Sequence, residues 1–492
     1  MGMKRLLWIP LILSACAGPG TAPAARPNVV VVYTDDQRWD AMGCAGNPFL
    51  KTPNMDRLAR EGARFVNAFC TTSLCSPSRA SMLSGLYAHA HRVLNNFTDF
   101  PASLTSYPKR LQESGYETGY IGKWHMGEAS DEPRPGFDYW MSHQGQGNYY
   151  DTTFNINGKR ELMKGYITTR ITEKAVEWIR KPHEKPYCLI VGHKAPHGPF
   201  VPEPKYAKVF DATEIKRPET EKDTGSGKPD WVRQRVTTWH GIDGPIYKAC
   251  GLSGYDEFVR AYYGSLLSVD DSLGEIYEAL RAAGTLDNTL IIFTTDNGFL
   301  LGEHGAIDKR AMWEESIRVP MIVRYPPLIP KARVVNEMVL HIDLAPSILA
   351  ACGAKPLENI HGRSWTDLLA ATGGPWRKSF LYEYNYEKQF PYTPNVRGVR
   401  TDEWKYIRYP HGDGGADRWK AELYHLKEDP LETKNLIDDP SVRVVQQELI
   451  WELERLQRQT NDPGTMPIDE GIKQDLPSDA HRAVNRSGLE KK

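Results

Sequence analysis

Four short apolar runs, each followed at once by polar residues, constrain the fold of this chain more than any other feature. The runs at residues 28–33 and 289–295 are unbroken and rich in β-branched side chains, which is typical of strands buried on both faces of a sheet. A similar run lies at residues 187–192, and a weaker one lies at residues 117–122. The sequence therefore predicts four strands in the interior of a sheet.

Helical patterns separate these predicted strands. Amphipathic spacing at residues 54–62, 171–180 and 267–283 alternates with the apolar runs along the chain. Alternation of strands and helices indicates an α/β fold, with a mostly parallel sheet and helices on both of its faces. The 492 residues are too many for one small core, so we expect one large domain and a smaller one.

Charged and polar side chains follow the predicted strands. Asp35 and Asp36 follow the first run, and Asp296 and Asn297 follow the run at residues 289–295. Ligands of open parallel sheets bind outside the carboxyl ends of the strands, so we expect these side chains to share one site. Three carboxylates that meet there need a cation to neutralise them, and all-oxygen ligands suit calcium or magnesium. The alternative is that each pair caps a following helix.

The segment CSPSR at residues 75–79 predicts the start of a helix with a cysteine beside it. Pro77 suits the first turn of a helix, because its missing N–H group is not needed there. Cys75 would then lie where free backbone N–H groups and the helix dipole favour an anion. The alternative is a small buried cysteine without a chemical role.

This segment resembles the signature of the type I sulfatases, in which the cysteine is oxidised to formylglycine after translation. The resemblance extends from about residue 27 to residue 440, with its elements in the same order. It includes residues 296–298, residues 308–310 and the C-terminal segment at residues 400–406. It implies an alkaline-phosphatase-like α/β fold, with a mostly parallel sheet flanked by helices and a smaller C-terminal α+β subdomain.

The resemblance also implies a metal site and a set of catalytic residues. It implies one calcium ion, in preference to magnesium, whose ligands correspond to Asp35, Asp36, oxidised Cys75, Asp296 and Asn297. The catalytic positions correspond to Cys75, Arg79, Lys123, His125, His197 and Lys309.

Each of these catalytic positions has an implied role. The oxidised cysteine would be the nucleophile, Arg79 would fix it and the metal ligands, and two lysines would hold the sulfate. His197 would protonate the leaving alcohol, and His125 would assist the collapse of the aldehyde hydrate. His193 and His304 are interpreted as structural.

The implied activity is hydrolysis of sulfate esters, with exo-acting removal of sulfate from a glycan such as one bearing N-acetylglucosamine-6-sulfate. Residues 92–96 and 155–159 are similar to N-acetylglucosamine-6-sulfatases. A formylglycine-generating maturation enzyme is an implied partner. Two alternatives stay open: a phosphonate or phosphate monoester hydrolase on the same fold, and an unmatured, lipid-anchored glycan-binding protein. A net charge of −1 argues against nucleic acid as the main partner.

The first 16 residues predict a signal peptide of the lipoprotein type. Two basic residues precede an apolar run that is too short to span a bilayer and that ends in LSAC at residues 13–16. Cys16 would carry the lipid, and Ala17 favours an outer-membrane anchor on a protein exported to the periplasm or cell surface. The alternative is an ordinary cleaved signal. Residues 17–26 predict a flexible tether.

The rest of the chain divides into three predicted parts. They are a catalytic domain at residues 27–375, an antiparallel-sheet plus helix subdomain at residues 376–461, and a polar tail at residues 462–492. The subdomain helix is predicted at residues 442–459. Residues 211–250 have little periodicity and predict a lid or a rim insertion. The six cysteines after Cys16 permit disulfides in an exported protein, but their spacing does not define pairs.

Overall fold

The computed structural model describes residues 26–466, apart from residues 226, 370–373, 388–389, 412–416 and 418. The predicted signal peptide, Cys16, residues 17–25 of the predicted tether and residues 467–492 of the predicted tail lie outside the described residues. No helix in the described part of the chain combines the length and the apolar character needed to cross a membrane.

The secondary structure of the described residues consists of short strands and helices that alternate through most of the chain. The strands are β1 (Asn28–Asp35), β2 (Ala63–Phe65), β3 (Ala68–Phe69), β4 (Glu117–Gly122), β5 (Tyr139–Ser142), β6 (Tyr150–Ile156), β7 (Lys159–Tyr166), β8 (Tyr187–Pro196), β9 (Thr289–Thr295), β10 (Leu300–Leu301), β11 (Ile307–Asp308), β12 (Met321–Arg324), β13 (Arg333–Val335), β14 (Val339–Leu340), β15 (Ser379–Tyr384), β16 (Val396–Thr401), β17 (Trp404–Arg408) and β18 (Glu422–His425). The helices are α1 (Pro53–Glu61), α2 (Cys75–Ser84), α3 (Ala88–His91), α4 (Tyr107–Glu113), α5 (Ile167–Arg180), α6 (Asp230–Arg235), α7 (Ile246–Ala249), α8 (Tyr255–Ala282), α9 (Glu314–Ile317), α10 (Leu344–Ala351), α11 (Thr366–Leu369) and α12 (Arg443–Thr460).

The main sheet has ten strands in the order β13-β2-β12-β9-β1-β8-β4-β5-β6-β7. Its central strands, from β9 to β5, are parallel, and an antiparallel pairing extends the sheet on each side. The four strands predicted from the apolar runs are β1, β4, β8 and β9, which are neighbours at the centre of the sheet. The predicted mostly parallel α/β sheet is therefore confirmed.

Alternate residues of β1 face two separate cores, which explains why the whole strand is apolar. Val29 and Val31 pack in one core with residues of α2, α4 and α10. Val30 and Val32 pack on the other face of the sheet with residues of α5 and α8. Full burial of a valine side chain stabilises a fold by about 1.5–3 kcal/mol, so both faces of this strand contribute.

A smaller antiparallel sheet, in the order β15-β16-β17-β18, forms the predicted C-terminal subdomain. The predicted helix at residues 442–459 is α12, and it buries Leu449, Leu453 and Leu456. Residues 462–466, which the sequence analysis assigned to the polar tail, are packed rather than loose. Asp462 accepts a hydrogen bond of 2.9 Å from Arg397 Nε, and Met466 is buried.

The segment at residues 211–250 is anchored to the C-terminal subdomain and is not a free lid. Lys228 Nζ donates hydrogen bonds of 2.6 Å to Tyr424 Oη and to the carbonyl oxygen of Glu432. The Trp231 ring stacks on Trp313, with ring centroids 5.8 Å apart. These contacts fix the segment against two parts of the fold. No disulfide joins any two of the six cysteines in the part of the chain that the structure describes.

His89 joins the catalytic domain to the C-terminal subdomain through both of its ring nitrogens. Nδ1 lies 3.1 Å from Glu383 Oε2, and Nε2 lies 2.9 Å from the carbonyl oxygen of Thr460. Both partners are acceptors, so the ring donates twice and is held as an imidazolium. Burial lowers the pKa of His89, but the Glu383 carboxylate outweighs it and raises the pKa above its usual value. Burial opposes ionisation of Glu383 as well, yet His89 lowers the pKa of that carboxyl to about 2.

We expect this pair to stabilise the fold within a limited range of pH. The contribution of His89 is complete below its unfolded pKa of about 6.5 and is lost as the pH rises through the raised folded value. The contribution of Glu383 is complete above about pH 4.5 and is lost as the pH falls towards 2. His89→Gln should lower the free energy of unfolding by about 3 kcal/mol at pH 6 and remove the decline of this free energy at alkaline pH. Urea denaturation at pH 6 and pH 9 measures both effects, and an unchanged alkaline slope in the variant would contradict them.

Candidate active site

The carboxyl ends of four neighbouring strands bring the predicted site residues together. Asp35 is the last residue of β1, and Asp296 follows the last residue of β9. Lys123 follows β4, and His197 follows β8. Because these strands are adjacent and parallel, residues far apart in the chain meet at one edge of the sheet.

Cys75 is the first residue of α2 and is fully buried. Its Sγ atom lies 3.5 Å from Asp35 Oδ1 and 3.3 Å from Lys309 Nζ. Burial, and after it the Asp35 carboxylate, raises the pKa of the thiol well above its usual value. An unmodified Cys75 is therefore a protonated thiol, which is a poor nucleophile.

Arg79, one turn further along α2, ties two strand ends to this helix. Its Nε donates a hydrogen bond of 2.9 Å to Asp296 Oδ2, and its Nη2 donates one of 2.6 Å to Asp35 Oδ2. The side chain is 1% exposed, so the guanidinium is held in one arrangement by its partners. It fixes the two carboxylates relative to Cys75.

Two lysines bring further positive charge to the carboxylates. Lys309 Nζ lies 2.6 and 2.7 Å from the two carboxylate oxygens of Asp36. Lys123 Nζ donates hydrogen bonds to Asp35 Oδ2 and to Gln146 Oε1. Both ammonium groups lower the pKa of the Cys75 thiol, although burial and Asp35 outweigh them. An anionic substrate at Cys75 would meet this charge.

The three carboxylates form one cluster, in which Asp35, Asp36 and Asp296 each offer an oxygen within 4.8 Å of the others. Burial and the neighbouring Asp35 charge raise the pKa of Asp296 to about 7. Burial also raises the pKa of Asp36, in spite of Lys309. Burial opposes ionisation of Asp35, but the charges of Lys123 and Arg79 outweigh it and hold the pKa of that carboxyl well below its usual range. Ionisation of the whole cluster at neutral pH would be favoured by one more positive charge.

A divalent cation fits this cluster, although the charge count from the sequence was incomplete. Arg79, Lys123 and Lys309 offset part of the charge of the three carboxylates, but the raised pKa of Asp296 shows that a further cation would still favour the ionised cluster. Asn297 supplies a more specific observation. Its Nδ2 donates to Asp36 Oδ1 at 2.7 Å, whereas its Oδ1 is buried without a hydrogen-bond partner among the described residues. An orphaned amide oxygen beside carboxylates suits an oxygen-seeking ion such as calcium or magnesium.

His197 faces the same cluster. Its Nδ1 lies 2.9 Å from the carbonyl oxygen of Gly198 and donates to it, which leaves Nε2 without a proton in the neutral ring. Nε2 lies 3.8 Å from Asp36 Oδ2. Burial, followed by the charges of Lys123 and Lys309, lowers the pKa of His197 well below its usual value. The free ring is therefore neutral.

His125 lies near the site but makes no hydrogen bond to the Cys75 side chain among the described residues. Its carbonyl oxygen accepts a hydrogen bond of 2.5 Å from Ser76 Oγ, and its Nε2 lies 3.4 Å from Glu128 Oε1. Its Nδ1 is buried without a hydrogen-bond partner among the described residues. Burial and the charge of Lys123 lower the pKa of His125 well below its usual value. The ring is neutral and able to accept a proton.

His193 and His304, which the sequence analysis interprets as structural, contact other parts of the fold. His193 Nε2 is 3.1 Å from Ser272 Oγ on α8. His304 Nδ1 is 3.1 Å from Asp223 Oδ2, and the ring packs on Trp313.

Sequence reasoning missed the polar groups around the two lysines. Gln146, which contacts Lys123, belongs to the loop between β5 and β6 and carries no motif. Arg310, the residue after Lys309, donates hydrogen bonds of 2.6 Å to Asp308 and to Glu387. Asp308 Oδ2 lies 3.1 Å from Arg235 Nη2, and Glu387 Oε1 is buried without a hydrogen-bond partner in the described part of the chain. The charged segment at residues 308–310 was the one sequence signal for these groups.

Comparison with known proteins gives the same assignment as this geometry. Residues 27–354 match the family described as Sulfatase, and this match covers more than half of the chain. The chain belongs to the sulfatase family. Residues 302–459 of this sulfatase also match the domain described as N-sulphoglucosamine sulphohydrolase, C-terminal. The predicted family and its activity, the hydrolysis of sulfate esters, are thereby confirmed.

Individual relatives of this sulfatase align over most of its length. It is 34% identical to the N-acetylglucosamine-6-O-sulfatase of Bacteroides thetaiotaomicron, in an alignment that covers 92% of this chain and 90% of the relative. It is 31% identical to the extracellular sulfatase SULF-1 homolog of Drosophila melanogaster, over 74% of this chain and 33% of the relative. A solved structure of a protein in complex with its substrate D-glucosamine-2-N,6-O-disulfate matches with a TM-score of 0.82 and 32% identity, covering 89% of this chain and 99% of that chain.

Proposed function

We propose that this sulfatase removes a 6-O-sulfate group from a glucosamine unit at the end of a sulfated glycan. The observation that carries the proposal is the convergence of Cys75, Lys123 and Lys309 with an oxygen-ligand cluster in one buried site. The choice of sugar is supported by the N-acetylglucosamine-6-O-sulfatase relative and by the glucosamine disulfate complex. Action at a chain end is supported by the full burial of Cys75, because a terminal unit enters such a site more easily than a mid-chain unit.

Cys75 is the proposed site of oxidation to formylglycine. The hydrated aldehyde would supply one hydroxyl group to take the sulfuryl group and a second whose deprotonation releases sulfate. Because Cys75 is buried in the folded protein, the maturation enzyme would have to act before α2 packs into the core. The thiol form is the basis of the alternative that an unmatured chain only binds glycans.

Calcium is the proposed metal, with Asp35, Asp36, Asp296 and Asn297 as its protein ligands beside residue 75. When bound, it would supply positive charge that stabilises the sulfate oxygens in the transition state. Lys123 and Lys309 would hold the same oxygens by charge-assisted hydrogen bonds. Arg79 would keep Asp35 and Asp296 in place, as its two hydrogen bonds to them support.

His197 is the proposed acid for the leaving alcohol, and His125 is the proposed base that assists product release. Two lysine charges lower the pKa of the free His197 ring, after burial. An anionic sulfate ester bound to those lysines would offset their charge and raise the pKa of His197. Substrate binding would therefore favour the protonated ring that the leaving group needs.

The proposed role of His197 predicts an effect that depends on the leaving group. His197→Ala should lower kcat for a sugar sulfate by about 10²–10⁴-fold, because a sugar alkoxide needs a proton in order to leave. The rate with an aryl sulfate should change much less, since a phenolate leaves without help. Steady-state kinetics with both substrates measures the difference. His425→Ala, at the end of β18 in the C-terminal subdomain, is the control, and equal losses on both substrates would contradict the role.

The substrate proposal is tested with a panel of pure saccharides. N-acetylglucosamine-6-sulfate and glucosamine-2-N,6-O-disulfate should release sulfate faster than 3-O- or 4-O-sulfated sugars, as measured by ion chromatography. N-acetylglucosamine-6-phosphate should be a poor substrate by comparison. Preferential release of phosphate would favour the phosphate or phosphonate monoester hydrolase, and binding without release of either anion would favour the unmatured glycan-binding protein.

We also propose that the protein is exported. The charged and apolar pattern of residues 1–16 supports this proposal, and so does the likeness to a sulfatase named as extracellular. An outer-membrane anchor through Cys16 would place the enzyme where extracellular glycans reach it. Labelling of the chain with a radioactive fatty acid, compared between the natural chain and Cys16→Ala, tests the anchor.

A further inference from the structure

A cavity at the amino ends of β1 and β8 carries a concentration of positive charge. Its volume is about 560 Å³, and its lining includes Arg26, Arg180, Lys181 and Lys185. All four residues are exposed. No aspartate or glutamate is among the described residues that line it. We refer to it as the basic cavity.

The protein neutralises these four charges only in part, because Lys174 and, after it, Lys181 lower the pKa of the nearby Glu177. Within the described residues, none of the four forms an ion pair with a carboxylate. Arg26 Nη1 donates a hydrogen bond of 2.6 Å to the carbonyl oxygen of Ser114, and Lys181 Nζ lies 5.5 Å from the centre of the Tyr139 ring. The nearby Glu117 pairs with His183, at 2.8 Å, and not with one of the four. Like charges gathered without partners raise the local positive potential.

The end of α5 does not account for this charge. Arg180 ends α5, where a basic residue commonly complements the helix dipole. However, the Trp178 carbonyl oxygen at that end already accepts hydrogen bonds from the Lys181 N–H and from His183 Nε2. Arg26 and Lys185 lie outside the helices. The cavity therefore has more positive charge than capping of α5 requires.

We propose that the basic cavity is a second binding site for the sulfated glycan, separate from the active site. Sulfate esters are permanent oxyanions, which guanidinium and ammonium groups bind by charge-assisted hydrogen bonds. The volume is within the range of small-ligand sites and is enough for a small sulfated saccharide. The choice of glycan as the occupant rests on the proposed function.

The basic cavity is far enough from the active site for each to bind glycan separately. Asn28 and Asp35 are the first and last residues of β1, and a strand rises about 3.3 Å per residue. The basic cavity therefore lies about 23 Å from the carboxylate cluster along this strand. A glycan segment held there would keep the enzyme on the polymer while an end of the same or another chain is desulfated.

The surroundings of the basic cavity favour a glycan over two other occupants. Residues 17–25, which precede Arg26, contain no acidic side chain, so this part of the chain cannot neutralise the cavity. A flat membrane surface would contact a concave site less well than a single sulfated unit. An adjoining cavity shares Arg180 and Lys181 with the basic cavity but is also lined by Glu173, Glu177 and Glu275, which would repel a polyanion there.

The test removes three charges and compares the result with removal of three others. The variant R180Q/K181Q/K185Q changes the basic cavity but keeps Arg26, whose hydrogen bond to Ser114 supports the fold. The control variant K331Q/K355Q/K427Q makes the same change of charge at exposed lysines elsewhere. Binding of each full-length protein to immobilised heparin is measured over a range of salt concentrations, and hydrolysis of a small aryl sulfate is measured in parallel.

We expect the cavity variant to bind heparin about tenfold more weakly at low salt, with a shallower dependence on salt, and the control variant to bind almost as the natural protein does. Both should hydrolyse the aryl sulfate at the natural rate. Equal losses in the two variants, or no loss in the cavity variant, would overturn the proposal. So would loss of binding to vesicles that contain anionic phospholipid with heparin binding unchanged.

The same binding measurement on the Cys75→Ala background does not depend on catalysis. Loss of heparin binding there on mutation of the cavity supports the second site even if the natural protein proves inactive on sulfate esters. Failure of the proposed function and failure of this inference are therefore distinguishable.

Discussion

Replacement of Cys75 by alanine should lower kcat for sulfate ester hydrolysis by at least about 10⁴-fold. Alanine lacks the thiol from which formylglycine is made, and it has no nucleophilic atom that could attack sulfur. The fold should survive, because Sγ makes only long contacts with Asp35 and Lys309, at 3.5 and 3.3 Å. Turnover of N-acetylglucosamine-6-sulfate, with circular dichroism to check folding, measures the effect.

Cys70→Ala is the matched control for this experiment. Cys70 is also a buried free thiol with a raised pKa, but it lies five residues earlier and outside the ligand cluster. Its variant should lose some stability and keep its activity. Mass spectrometry of the peptide that contains residue 75 should find an aldehyde in active protein. An active preparation in which Cys75 is wholly an unmodified thiol would contradict the proposed nucleophile.

Replacement of Asn297 by leucine should remove metal binding and lower kcat by about 10²–10³-fold. Leucine has nearly the same shape but offers no oxygen in place of the unpartnered Oδ1. The change leaves the charges of Asp35, Asp36 and Asp296 as they are, so the effect reports ligation and not charge balance. Calcium bound per chain, measured by mass spectrometry of the dialysed protein, should fall from about one to near zero.

A thermal shift gives a readout of the same metal that does not depend on activity. Calcium at 100 times its dissociation constant should stabilise the natural protein by about 2.7 kcal/mol after chelation, and it should not stabilise Asn297→Leu. Asn336→Leu, at an exposed position, is the control and should respond as the natural protein does. A calcium shift of the same size in Asn297→Leu would exclude Asn297 as a ligand. Magnesium in place of calcium tests which ion the site prefers.

Local patterns were sufficient for the centre of the fold and for most of the candidate site. The run at residues 28–33 is apolar throughout because β1 is buried on both faces, so its pattern predicts a central strand directly. Asp35, Lys123 and Asp296 each follow such a run, whereas His197 was chosen over His193 because it corresponds to the active-site histidine of the sulfatases. Their meeting needs no further information once the strands are parallel and adjacent.

Features made by distant parts of the chain could not be predicted in this way. Residues 211–250 have weak periodicity because their order comes from Lys228 and Trp231 contacts with other parts of the fold. Asp462 belongs to the packed subdomain through Arg397, although its neighbours are polar. The three cations that offset part of the carboxylate charge come from separate elements, so the sequence analysis did not count them.

The sequence by itself determined the α/β class, the central strands and the residue types that gather at their ends, because burial on one or both faces imposes a period on neighbouring residues. Only the tertiary structure decided which charges face one another. Lys309 lies on Asp36 and Cys75, Gln146 lies on Lys123, and four cations line a cavity at the opposite end of the sheet. The reason is that a charge acts through distance and dielectric surroundings, and the order of residues specifies neither until the chain has packed.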